Sequence, residues 1–329
     1  MRRIAGAILA AAAALTLAGG AASAVELKLS HPYTENDTRD IWAKKFAEML
    51  AAKTDNQVTV KIYPNQQLFK ARQQYDGLRS NQIDLAIYPM PWLAGKVPAS
   101  NIGLLPGLVG KPADGLVWRE RKIWPMLEAA VEKANVKMVG ILWSPATYAS
   151  KDKALVVPSD FKGVKARGMG APLEAVLAKN GAAITAFPAA EAYTALQTGA
   201  VDALFSTVSS FSGYRLYEVV KHYVGGEESF VAGGHYVLMS EGGWKKLSPA
   251  QQKIFTSVMI DSEKVFVDLG RKEVADVTKE FADKGVTIDT LTPEQLAVWK
   301  SESKKIAWKY FVDKTKGGKE LLDAVDQPR

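Results

Sequence analysis

The chain contains no cysteine. That excludes disulfides, thiolate catalysis and thiolate metal sites, so in an oxidising compartment its core must hold it unaided. Histidine is scarce: His31, His222 and His235 lie far apart in sequence, which argues against a three-histidine metal centre. Beyond residue 24 there is no run of about 18 unbroken apolar residues, the length a membrane helix needs, so the mature chain is expected not to span a membrane. Dense basic runs and nucleic-acid motifs are missing too, which excludes nucleic acid as a partner. The formal charge is +7, and the leader's Arg2 and Arg3 account for two of these charges, leaving +5. These charges are interleaved with Asp and Glu along helical segments. They make a mildly basic solvated surface whose field helps draw in anions. The motifs H-E-x-x-H, G-x-S-x-G and G-x-x-x-x-G-K-[ST] do not occur. Gly168-Met169-Gly170-Ala171-Pro172-Leu173 is half of a dinucleotide fingerprint, and Pro172 breaks it. No cofactor and no metal are expected.

The 329 residues are 47% hydrophobic, enough for two α/β domains with cores of their own. Residues 1–24 read as a secretory leader: Arg2 and Arg3, an apolar stretch from Ile4 to Leu17, then Ala22-Ser23-Ala24 as the cleavage site. Cleavage after Ala24 would place the mature protein in the periplasm. Beyond it, strands and helices alternate, the pattern of an open α/β sheet. Strands are expected at 26–30, 58–62, 83–88, 136–143, 164–167, 182–187, 201–205 and 230–239. Pro145 is expected to break the fourth of these, Ser206 and Thr207 to open a loop, and 219–223 to end a helix. Ser248-Pro249-Ala250-Gln251 and Thr292-Pro293-Glu294-Gln295 are matching capping boxes with proline at the first helical position. The helix from the first could reach Lys284, roughly 54 Å at 1.5 Å per residue, too long for one small domain. Gly270 is a candidate kink.

Val156 to Gly170 carries the clearest functional signal. Pro158-Ser159-Asp160 is turn chemistry, and Val164-Lys165-Ala166-Arg167 alternates as a strand does. Gly168 and Gly170 follow, and Pro172 opens an amphipathic run. Arg167 therefore ends a strand where a glycine-rich turn leads into a helix, the position where α/β sheets take ligands. Its guanidinium offers a planar fork that matches a carboxylate with two parallel bonds.

Asp160-Phe161-Lys162-Gly163-Val164-Lys165-Ala166-Arg167 is followed by Pro188-Ala-Ala-Glu191-Ala-Tyr193-Thr-Ala-Leu196-Gln197-Thr-Gly199-Ala-Val201-Asp202. The two runs, at this spacing, resemble the solute receptors of TRAP (tripartite ATP-independent periplasmic) transporters, and the resemblance extends over nearly the whole mature chain. It implies an α/β, two-lobed periplasmic-binding-protein architecture. Each lobe would be an open sheet flanked by helices, and a long helix would span both. It also implies a monomer that closes like a hinge on a small carboxylate and delivers it to the TRAP membrane permease subunits. The lobes are expected at 25–147 with 235–270, and at 148–234 with 271–329. Glu191, inside the family helix motif, is expected to pack and hydrogen-bond.

The sequence departs from the family pattern at two places. Many receptors for polar acids carry a second arginine at the position that falls near Thr147, and a G-x-E-N run where this chain has Ala203, Leu204, Phe205 and Ser206. Fewer charges and more aromatics point to a monocarboxylate with an apolar or aromatic body. The expected site is Arg167 as anchor, Ser206 as a second donor, and Tyr33, Tyr88, Trp143, Met169 and Phe187 as walls, with Thr147 at the vacated position. His235 lies near the cleft by the same resemblance, as a ligand contact or as a satisfied structural histidine. The alternatives are a receptor for C4-dicarboxylates and, from a different class, a periplasmic enzyme acting on organic acids. A receptor feeding a signalling protein would look the same in sequence.

Overall fold

The structure is a computed structural model and describes residues 24–226 and 229–329. The expected leader, all but Ala24, lies outside these residues. The strands, in chain order, are β1 (Val25–Ser30), β2 (Val58–Tyr63), β3 (Leu85–Pro89), β4 (Lys137–Ser150), β5 (Lys165–Arg167), β6 (Ala183–Ile184), β7 (Ala203–Thr207), β8 (His222–Val224), β9 (Ala232–Met239) and β10 (Thr287–Asp289). They join in the order β2-β1-β3-β9-β4-β7-β5-β6, with β8 pairing β4 and β10 pairing β8. One half has the parallel set β2-β1-β3 and the other the parallel set β6-β5-β7, and the antiparallel strands β9 and β4 link them. This is the helix-flanked α/β sheet that the alternation of elements implied.

β4 runs through Pro145 rather than stopping at it, which corrects the expected break. The strand changes partner there: Lys137 to Pro145 pair with β9, and Ala146 to Ser150 pair with β7. Proline, which cannot donate to a ladder, sits at the step where one ladder hands over to the next. Two further expectations are revised. Ser206 and Thr207 belong to β7 instead of a loop, and 219–223 is no helix end, because His222–Val224 pairs with β4 and β10.

The helix Pro249–Asp283 has the capping box read from its sequence: Ser248 Oγ accepts from the Gln251 amide at 3.3 Å, and the Ser248 amide donates to Gln251 Oε1 at 2.9 Å. Its 35 residues pass both halves. Phe255, Val258, Met259 and Phe266 pack with Leu27, Leu29 and Phe46 of the first half, and Val277 and Phe281 with Phe211 and Tyr223 of the second. Gly270 does not interrupt it. A Cβ there would stand 2.9–3.0 Å from the Pro145 ring, so glycine is what lets the helix lie against the strand crossing.

Candidate functional site

A cavity of about 420 Å³ opens between the two halves. That is the size of a small-ligand pocket. Arg167 reaches it from the end of β5. The turn after it brings Gly168, Met169 and Gly170, and the helix Ala171–Lys179 then brings Glu174. Gly170 has φ +133°, and a Cβ on it would lie 2.9 Å from Leu104 Cδ1 and 3.3 Å from Pro91 Cβ, so glycine permits the approach of the two sides at this edge.

Arg167 is held by backbone, not by acid. Nε donates to the Phe187 carbonyl at 3.2 Å and Nη1 to the Phe205 carbonyl, while the guanidinium lies 5.7 Å from the Phe187 ring. It forms no ion pair among the described residues. Burial pushes it down to about 10, partly offset by the charge of Glu174, so it remains a cation at neutral pH. A desolvated cation in a cavity wall, with donors to spare, has the chemistry to take an anion.

Of the other expected residues, Ser206, Met169, Phe187, Tyr33 and His235 line the cavity with Arg167. Tyr88, Trp143 and Thr147 do not: on β3 the pleat turns Tyr88 away from the cavity side, since adjacent strand residues face opposite ways, and β4 contributes no residue to the lining. Tyr88 turns inward, its hydroxyl donating to the Arg72 carbonyl at 3.2 Å, and Pro89 and Trp92 stand at the wall instead. Trp143 is packed edge-on against Trp118 at 4.9 Å, with its indole over Gly115. Thr147 donates to the Val224 carbonyl and borders a separate cavity of about 120 Å³. Phe205 is stacked on Tyr148 at 4.5 Å in the core, so its replacement of an acidic residue does not bear on the ligand. Glu191 is exposed rather than packed.

The reading from sequence missed Arg39. It lies one residue into the helix Thr38–Lys53, is only 2% exposed, and lines the cavity. Asp37, the N-cap, binds it with two bonds, Nε–Oδ1 at 2.8 Å and Nη2–Oδ2 at 2.6 Å. Nη1 also donates to Thr207 Oγ1 at 3.2 Å and Nη2 to Ser210 Oγ at 3.3 Å, and the guanidinium covers Tyr33 at 3.4 Å from the ring centre. Burial opposes its charge, but Asp37 prevails and holds it above the ordinary arginine range. The hint in the sequence was a cation in the first turn of a helix, where the macrodipole disfavours it.

His235 is a satisfied structural residue that also borders the cavity. Nε2 lies 3.3 Å from Arg39 Nη1 and Nδ1 3.3 Å from Ser144 Oγ. Arginine can only donate, so Nε2 accepts and Nδ1 carries the proton toward Ser144. Burial, then the charge of Arg39, hold the ring well below the usual histidine range and therefore neutral. The other two histidines are elsewhere engaged, His31 with Asp40 at 3.2 Å and His222 with Asp289 at 3.0 Å. Among the described residues no cluster is arranged to hold a metal, and no helix is long and apolar enough to cross a membrane.

Residues 29–314 match the family model described as bacterial extracellular solute-binding protein, family 7. A solute-binding protein of Albidiferax ferrireducens is 29% identical over 311 residues, covering 92% of this chain and 91% of that protein. The C4-dicarboxylate-binding periplasmic protein of Shewanella loihica is 27% identical over 315 residues, 92% of this chain and 89% of that one. Among solved structures, the TRAP periplasmic solute-binding protein of Rhodoferax ferrireducens, crystallised with malonate, superposes with a TM-score of 0.87 at 29% identity, covering 91% of this chain and 96% of that one.

Proposed function

Since the chain belongs to bacterial extracellular solute-binding protein family 7, the solute receptors of TRAP transporters and not enzymes, we propose that it captures a monocarboxylate with an apolar or aromatic body. The observation that carries this reading is the charge inventory of the cavity. Arg167 is a desolvated cation without an ion-paired acid, whereas Arg39 is already matched by Asp37. One carboxylate therefore finds one free fork. Tyr33, Trp92, Leu104, Met169 and Phe187 surround it with apolar surface, and Ser206 adds a hydroxyl. Aromatic contacts there contribute roughly 0.5–1.5 kcal/mol each beyond area burial.

The lobes divide as 25–147 with 235–270 and 148–234 with 271–329, close to where β4 exchanges β9 for β7. They close on the ligand about these crossings, with the helix Pro249–Asp283 flexing along its length. The protein is exported by its leader, cleaved after Ala24, acts as a monomer in the periplasm, and hands its ligand to the permease subunits.

A dicarboxylate reading is favoured by the Shewanella relative's name and by the malonate in the Rhodoferax structure. Here a second carboxylate would have to draw Arg39 away from Asp37. A thermal-shift screen of aromatic, branched-chain, 2-oxo and C4-dicarboxylic acids separates the two. Apolar or aromatic monocarboxylates should raise the melting temperature most, and the best of them should compact the protein in small-angle scattering without being consumed. Strong stabilisation by succinate or malate, with none by an aromatic acid, would overturn the monocarboxylate reading.

A further inference from the structure

Beside Arg167, on the same wall of the cavity, stands a second ionisable group. Of the residues lining the cavity, Glu174 is the sole carboxylate. It stands in the first turn of the helix Ala171–Lys179, directly after the glycine turn that follows Arg167. A Cβ at position 168 would lie 2.4 Å from Glu174 Cγ, so the absence of a side chain at Gly168 is what lets the glutamate lie over this turn. Glu174 and Arg167 feel each other's charge but form no ion pair, and the Gly170 backbone amide also favours the charged carboxylate. Desolvation pushes Glu174 above the usual carboxylate range. Asp37 is bonded to Arg39, so Glu174 is the acid of this region still open to a ligand.

An occupant that fills the cavity strips water from this carboxylate as well as from Arg167. An apolar ligand edge would leave the acceptor sites that the Gly170 amide does not serve without a partner, and a second ligand anion would meet a like charge. Only a donor restores what the water supplied. We propose that Glu174 is a specificity-determining residue: it accepts a hydrogen bond from a hydroxyl, amide or ammonium group that the ligand carries in addition to its carboxylate, and it disfavours dicarboxylates. The ligand is then a monocarboxylate with a donor on its otherwise apolar body. This rests on the reading of Arg167 as the carboxylate anchor and refines it.

The test is calorimetric titration of the wild type, Glu174→Ala, Glu174→Gln and Arg167→Ala with two matched pairs, benzoate with 3-hydroxybenzoate and cyclopentanecarboxylate with pyroglutamate, and with succinate. The wild type should bind the donor-bearing member of at least one pair about tenfold or more tightly than its partner. Glu174→Ala should bring that gap to within about threefold, and Glu174→Gln should bind succinate better than the wild type does. The proposal is overturned if the wild type prefers the donor-free acid in both pairs, if it binds none of the five, or if the gap survives in Glu174→Ala. Unchanged selectivity in the Glu174 variants, with all binding lost in Arg167→Ala, would sink the role of Glu174 alone. Full binding by Arg167→Ala would sink the anchor itself.

Discussion

Two arginines border the cavity, and their partners make them different. Arg167 is fixed by the Phe187 and Phe205 carbonyls, which orient the fork without neutralising it. Arg39 is spent on Asp37, and in turn sets the proton on His235. Asp37 is therefore what keeps Arg39 matched, and Asp37→Asn should release a second cation into the cavity. That variant should lose about 3–5 kcal/mol of stability in urea denaturation, the usual cost of orphaning a buried charge. It should also bind succinate more tightly than the wild type; unchanged succinate affinity would show that Arg39 does not face the ligand. Arg167 was legible in the sequence because a local signal marks it, a strand end followed by glycines. Arg39 was not, because its role depends on Thr207, Ser210 and His235, 168 to 196 positions away. Asp37 caps the helix by accepting from the Arg39 amide, and the same side chain also bonds the Arg39 guanidinium.

At the level of elements, the strand crossing and the helix over it form one device. Pro145 sits where β4 changes partner, and Gly270 brings the helix Pro249–Asp283 down onto its ring. Gly270→Val should destabilise the protein by about 1–3 kcal/mol through overpacking, read as a lower urea midpoint, although valine is the better helix former. A higher midpoint would mean that the contact yields freely. One turn further on, Glu273 accepts a hydrogen bond from Thr38, and burial pushes its carboxyl up to about 7. The folded protein thus keeps a proton there that the unfolded chain releases near the ordinary value of 4.5. The stabilisation is fully present below about 4.5 and is lost as pH rises through about 7. Glu273→Gln should therefore melt above the wild type at pH 8 and close to it at pH 5. Equal melting at both would remove Glu273 from the pH dependence. The helix itself was legible to within a residue, since a capping box is a local pattern. The extent of β4 was not, because whether a proline ends a strand depends on which partners flank it.

Over the whole molecule, the alternation of strands and helices along the chain and the spanning helix were within reach of pattern and length; the pairing order of the strands and the side of each that meets the cavity were not. Tyr88, Trp143 and Thr147 face into packing, and β4 runs past both Trp143 and Thr147 to Ser150, because the cavity's walls are decided by how the two halves meet. The arrangement that results is a cleft with one unmatched fork, apolar walls and strand crossings behind it. In a receptor of this kind the bound acid contributes the missing counter-charge, so its removal and that of Arg167 should have matching consequences. The most direct measurement is calorimetric titration of the wild type, Arg167→Ala and Arg167→Lys with the acid that most raises the melting temperature. The wild type should bind one equivalent and release it unchanged. Arg167→Ala should lose about 2–5 kcal/mol, roughly 30-fold to several-thousand-fold in affinity, and Arg167→Lys should recover little of it, because an ammonium does not reproduce the fork. Near-native affinity in Arg167→Ala would contradict the account.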